Sequence, residues 1–121
     1  MSNHGGRQLD GAMASLRALP AVRQAAGGHV PVLLDGGVRR GGDIAKALAP
    51  RASTVLFGRP LLYCLAADGE RGAAALLSLL ADELHRVMAL LGAPTLASLR
   101  GAGVQTVSTV RGWSTTAMQD A

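Results

Sequence analysis

Aromatic residues are almost missing from this chain. Phe57, Tyr63 and Trp113 are the only three among 121 residues, so a core has to be built from Ala, Leu and Val and carries few bulky anchors. Cysteine is rarer still. Cys64 stands alone, which excludes an intramolecular disulfide and a multi-cysteine metal centre, fits a reducing compartment, and reads as a small buried apolar side chain. No apolar run approaches the roughly 20 uninterrupted residues that span a bilayer, and the first residues lack the basic and then apolar pattern of a secretory signal. A cytoplasmic location is the expectation, with peripheral membrane association of a longer form left open. Acidic charge is scarce too, 8 Asp and Glu against 12 Lys and Arg, for a net charge of +4. Such an excess raises nucleic acid as a partner. The cations are dispersed from Arg7 to Arg111, however, with no basic run longer than Arg39-Arg40 and no interleaved aromatic to stack on bases, so nucleic acid is not expected.

What is present is 49% hydrophobic residues and 16 glycines, enough for one small domain that buries roughly two thirds of its unfolded surface. Met13, Leu16, Leu19, Val22 and Ala26 fall at three- and four-residue spacings and predict an amphipathic helix ended by Gly27-Gly28, with a kink or restart at Pro20. Val30, Val32, Leu33 and Leu34 form a continuous apolar run that ends in Asp35-Gly36-Gly37, the pattern of a parallel strand covered on both faces. A short helix follows, with Asp43 as N-cap, Ile44, Ala47 and Leu48 on one face and Pro50 as its stop.

"STVLFG" is a second buried strand, stopping at Gly58-Arg59-Pro60. Behind it "PLLYCLAADG" predicts a short helix. "ERGAAALLSLLADELHRVMALLG" predicts a long one, with a stripe of Ala73, Leu76, Leu77, Leu80, Leu84, Val87, Met88 and Leu91 capped by Gly92 and an opposite face of Asp82, Glu83 and Arg86. Residues 101–121 are rich in Gly, Ser and Thr and read as a poorly ordered tail after a unit spanning 1–100. The alternation of helix and apolar strand predicts α/β architecture built from parallel βα units.

In such folds the working residues lie just past the C-terminal ends of the strands, where helix N-termini attract anions. Two segments have that placement: Asp35, Gly36, Gly37, Val38 and Arg39 after the first strand, and Gly58 and Arg59 after the second. Glycines there let backbone N–H groups approach an anion, and the arginines add charge-assisted bonds, so a phosphate site is predicted. The opening loop offers a different pair. His4 can exchange a proton near neutral pH and Arg7 presents a planar fork for a carboxylate, a combination suited to proton removal beside an acid group. His29 and His85 read as surface residues.

Taken together, "SNHGGRQLDGA", "VPVLLDGGVRRGGDIAKALA", "VLFGRPLLYCLAADGERG" and "ELHRVMALLG" resemble the FMN-dependent 2-hydroxy-acid oxidases and dehydrogenases, the group of glycolate oxidase, flavin-type lactate dehydrogenase and mandelate dehydrogenase. The resemblance implies the C-terminal part of a (β/α)8 TIM barrel, an incomplete barrel of about two complete βα units plus the preceding loop and helix. It implies that His4 is the base that takes a proton as the substrate α-carbon is oxidised, and that Arg7 binds the substrate carboxylate. Asp35, Gly36, Gly37, Val38, Arg39, Gly58 and Arg59 would hold the phosphate and ribityl chain of FMN.

The implied substrate is a small (S)-2-hydroxy acid converted to the 2-oxo acid, with no metal. Departures from the family pattern are Met13 in place of Pro, Gly42 in place of Thr or Ser, and Pro50-Arg51 in place of Leu-Gly. None of the six Asp residues stands where the family's His-orienting aspartate belongs. A full barrel takes about 250 residues, so the missing N-terminal half is expected to complement the chain, and the recorded start is expected to lie inside a longer reading frame. The alternatives are a non-catalytic remnant or half-barrel module that binds a phosphate ligand or a partner chain and self-associates through exposed strand edges, and a different FMN barrel enzyme, against which "SNHGGRQLD" argues.

Overall fold

The computed structural model describes residues 1–100 and Ala102; the tail reading for 101–121 otherwise lies outside those residues. The order of elements is a 3-10 turn at His4–Gly6, α1 (Ser15–Ala25), β1 (Leu33–Leu34), α2 (Gly41–Leu48), β2 (Thr54–Val55), α3 (Arg59–Leu90) and α4 (Leu96–Leu99). Helix and strand alternate as the apolar patterning predicts. β1 and β2 pair in parallel, Leu33 against Thr54 and Leu34 against Val55. Backbone bonds from Ser53 N to Val32 O and from Leu56 N to Leu34 O, each 2.8 Å, extend the pairing at both ends.

The other edge of β1 is also engaged. The Met1 nitrogen donates to the Leu33 carbonyl, and Asp35 N donates to Met1 O at 2.9 Å, the slanted pattern of a parallel neighbour. Met1 thus stands beside β1 in strand register, and the Ser2–Arg7 loop leaves from the same end of the sheet as the Asp35–Arg39 turn.

Side chains alternate across a strand. Val32 and Leu34, 6% and 2% exposed, join Leu19, Val38, Ala47 and Ala52 in a core that Val55 and Phe57 pack against. Leu33, at 39% exposure, and Leu56, at 46%, point the other way. The expectation of a strand buried on both faces is therefore corrected. Among the described residues helices cover one face of the sheet, and no second layer covers the other.

α1 forms because Leu16, Leu19 and Val22 recur on one face, with Leu19 fully buried. Met13 precedes the helix and is exposed, so it leaves the predicted stripe. α1 runs through Pro20 as one element, because the ring lies on the exposed side and the missing N–H removes a single bond; the predicted restart does not occur. α2 sits between two cores. Ala47 faces the sheet, while Ala45 and Leu48 meet Met88, Ala93 and Leu99.

α2 begins at Gly41, which puts Asp43 in its third position rather than at the N-cap. The carboxylate caps from there, accepting from Arg39 N at 3.1 Å and Arg40 N at 3.2 Å. In α3 the helical backbone breaks at Asp68 (φ −152°) and Gly69 (φ +54°), matching the predicted short and long helices. Leu76, Leu80 and Met88 of the predicted stripe are buried, whereas Leu77 and Leu91 are 55% and 46% exposed. Cys64 is half-buried rather than core. Glu83 is not on a free solvent face: it is half-buried against α2.

Candidate functional site

Three segments converge at the C-terminal end of the strands: the opening loop, the turn after β1 and the start of α3. The opening loop is tied down by its own short polar residues, as Ser and Asn do in turns. Ser2 Oγ accepts from His4 N at 3.0 Å and donates to Asp35 Oδ2 at 2.7 Å. Asn3 Oδ1 accepts from Gly5 N at 3.0 Å. Asn3 O takes Gly6 N at 3.0 Å, and His4 O takes Arg7 N at 3.4 Å. His4 is held at φ +55°, a left-handed conformation that few side-chain-bearing residues adopt. It helps to line an open hollow of about 380 Å³ together with Ser2, Asn3, Gln8, Leu9 and Ala12. Arg7 is exposed on the same loop.

The turn after β1 comes close beneath that loop. Gly36 has φ +111°, and a Cβ on it would lie 2.6 Å from Asn3 Oδ1 and 3.0 Å from Ser15 Oγ; only glycine fits there. Ser15 Oγ is buried without a hydrogen-bond partner among the described residues. Gly37 is exposed, Arg39 is exposed, and Val38 turns its side chain into the core at 6% exposure. Asp35 is half-buried and faces Ser2.

At the start of α3, Gly58 is the N-cap residue, no side chain caps the helix, and Pro60, which has no N–H, follows Arg59. Arg59 reaches the opening loop: a Cβ on Gly5 would lie 3.2 Å from its Nη2. An uncapped helix start beside a guanidinium is chemically suited to an oxyanion. The start of α2 differs, because carboxylates already hold the amide that opens the helix and the two just before it. Asp43 takes two, and Glu83 Oε2 accepts from Gly41 N at 2.7 Å.

The structure therefore brings Asp35 to the opening loop through Ser2, Gly36 to Asn3, and Arg59 to Gly5. It places His4 and Arg7 in one turn, with no hydrogen bond from either to Arg39 among the described residues. Sequence reasoning missed Ser2 and Asn3, which position the loop; a Ser-Asn pair just before His-Gly-Gly was the available signal. Among the described residues no group of three or more His, Cys, Asp and Glu could hold a metal ion, and no helix is long and apolar enough to cross a membrane.

Comparison with known proteins places this geometry in context. Residues 1–106 match the FMN-dependent dehydrogenase family. An L-lactate oxidase of Nostoc sp. is 57% identical over 96 residues, covering 79% of this chain and 26% of that protein. A peroxisomal (S)-2-hydroxyacid oxidase of Arabidopsis thaliana is 53% identical over the same shares of the two chains. Among solved structures, mandelate oxidase with (S)-2-phenylpropionate superposes with a TM-score of 0.78 at 48% identity, covering 82% of this chain and 30% of that one. A lactate oxidase of Pediococcus acidilactici gives 0.79 at 43% identity, with 83% and 28% covered. The chain spans about a quarter of the length of the curated relatives it matches.

Proposed function

The chain belongs to the FMN-dependent dehydrogenase family, and from that premise we propose that it supplies the phosphate-holding turns and the acid–base loop of a flavin enzyme that oxidises a small (S)-2-hydroxy acid to the 2-oxo acid. The observation that carries the proposal is the convergence of the His4 loop, the Gly36 turn and the Arg59 helix start at one end of a parallel sheet. In a parallel α/β fold that is the ligand-binding end. In this reading the chain is part of a (β/α)8 barrel, and its lone Cys64 thiol fits a reducing compartment such as the cytoplasm.

The residues fit FMN at its phosphate. The uncapped start of α3 offers Gly58 and Arg59 amides, Arg59 adds a guanidinium, and Gly37 stands in open space that a side chain would fill. Asp35 and the backbone of Val38 and Arg39 would face the ribityl chain. When bound, the flavin supplies an acceptor for the two electrons that leave as hydroxy acid becomes oxo acid. The conversion also releases two protons, one of which would leave with the electrons to the flavin. His4, which lines the hollow on a fixed backbone, takes the other on an imidazole nitrogen. Arg7 orients the substrate through paired N–H donors to its carboxylate, which holds the α-carbon in place for the transfer.

The bare face of the sheet, with Leu33 and Leu56 on it, favours a second element of the proposal. That face is covered by a partner, either a complementing segment of the same barrel or a second copy of the chain. One experiment tests both elements. The purified 121-residue chain is sized, titrated with FMN while flavin fluorescence and the visible spectrum are followed, and then given L-lactate, glycolate or mandelate without oxygen. Bound flavin that bleaches with one of these acids is the expected result. A chain that binds no flavin overturns the enzyme reading, and one that is monomeric with no affinity for a complementing segment overturns the covered face.

A further inference from the structure

The turn that follows β1 runs directly into α2, separated from it by Arg40 alone. Whatever fixes the first residues of α2 therefore fixes the turn. The N-terminal amides of a helix have no partners inside it, and here the amide that opens α2 and the two that lead into it are taken from two directions. Asp43, within the first turn of α2, accepts from Arg39 and Arg40. The Gly41 N–H goes elsewhere, to Glu83 Oε2 at 2.7 Å across 42 residues of sequence.

This contact has no slack. Gly41 is buried, and a Cβ on it would collide with the backbone nitrogen of Leu84 and lie 2.5 Å from Glu83 Cβ. The two helices meet backbone to backbone at this point. A carboxylate at a helix N-terminus is favoured by the helix dipole, and a charge-assisted bond to a backbone amide is shorter and stronger than a neutral one. α3 also carries Arg59 at its own start. The break at Asp68–Gly69 between Arg59 and Glu83 is closed tightly, since a Cβ on Gly72 would collide with the Cys64 carbonyl.

We propose that Glu83 is a positioning residue: through the Gly41 amide its carboxylate pins the turn at Asp35–Arg39 to α3, and so sets its distance from the Gly58–Arg59 helix start. The consequence for binding rests on the reading of those two turns as the FMN phosphate site. The start of α2 then serves as a strut rather than as an anion donor, because an incoming phosphate there would meet two carboxylates. The start of α3 is left as the anion-facing end. Glu83 touches neither flavin nor substrate in this scheme. Its effect passes entirely through the backbone of residues 35–41.

The test compares wild type with Glu83→Ala and Glu83→Gln in the full 121-residue chain, by amide hydrogen exchange without flavin and by FMN titration. In Glu83→Ala, exchange at Arg39, Arg40 and Gly41 is expected to rise by roughly tenfold or more, the scale of one lost charge-assisted bond. Exchange at Leu19 and Leu56 stays unchanged. Glu83→Gln keeps an acceptor oxygen and stays within about threefold of wild type on that scale. FMN affinity falls about tenfold in Glu83→Ala and is restored in Glu83→Gln. Unchanged exchange at residues 39–41, or a rise shared equally by Leu19 and Leu56, overturns the proposal. Should Glu83→Ala fail to fold, Glu83→Asp, with its charge kept and its reach shortened, carries the same comparison. If the exchange pattern appears while wild type binds no FMN, the clamp stands and the phosphate reading falls.

Discussion

His4 occupies a backbone conformation that costs a side-chain-bearing residue about 1–3 kcal/mol, and it does so at φ +55° in a loop fastened by Ser2 and Asn3. The two side chains offset the strain with bonds to consecutive amides, those of His4 and Gly5. The loop backbone is thereby fixed, and among the described residues no hydrogen bond from an aspartate orients the imidazole. Roles at this scale separate cleanly. His4→Ala is expected to leave FMN affinity within about twofold and to remove turnover, because the proposed role of the ring is proton transfer and not phosphate binding. Arg59→Ala is expected to weaken FMN binding by about 10–100-fold, the worth of one or two charge-assisted bonds. Fluorescence titration beside anaerobic flavin reduction checks both, and equal effects of the two substitutions on affinity would contradict the assignment. His4, Arg7 and the two glycine turns were legible because their chemistry lies in contiguous sequence. Glu83 was not, since it acts on a segment 42 residues away, and a Glu beside Asp82 and Arg86 looks like any solvated helix face.

Among the elements, the junction of α2 with α3 is the most constrained. Gly41 lets the helices touch backbone to backbone, and Ala45 and Leu48 continue the contact toward Met88 and Leu99. Gly41→Ala would improve helix propensity by roughly 1 kcal/mol on an isolated helix. Here overpacking should win and destabilise by about 1–3 kcal/mol, visible as a lower urea midpoint. A neutral or stabilising result would show that the helices can move apart. Helix and strand order was readable because each period is local: 3- and 4-residue spacing in α1 and the long part of α3, continuous apolar runs in β1 and β2. The helix break was readable from Asp68-Gly69. The start of α2 was not, because Asp43 works equally well as a cap from the third position, and only the extended Arg40 (φ −137°) decides where the helix begins.

On the scale of the whole molecule, the covered and the bare faces of the sheet set its behaviour. Continuous apolar strands such as Val32–Leu34 are what a sheet buried on both sides needs, yet helices cover only the face of Val32 and Leu34, leaving Leu33 and Leu56 exposed. The pattern announced two burial partners, and the described residues contain one. That difference has a calorimetric meaning. Heat capacity rises on unfolding in proportion to the apolar surface newly wetted, about 1.2–1.5 kcal/mol/K per 100 residues for ordinary domains. A chain whose sheet is already wet on one side has less to expose. Its unfolding should fall below that range, with a flatter dependence of stability on temperature, and whatever covers the face should bind with a negative heat capacity change. A full-sized value for the isolated monomer would mean that Leu33 and Leu56 are already buried in solution.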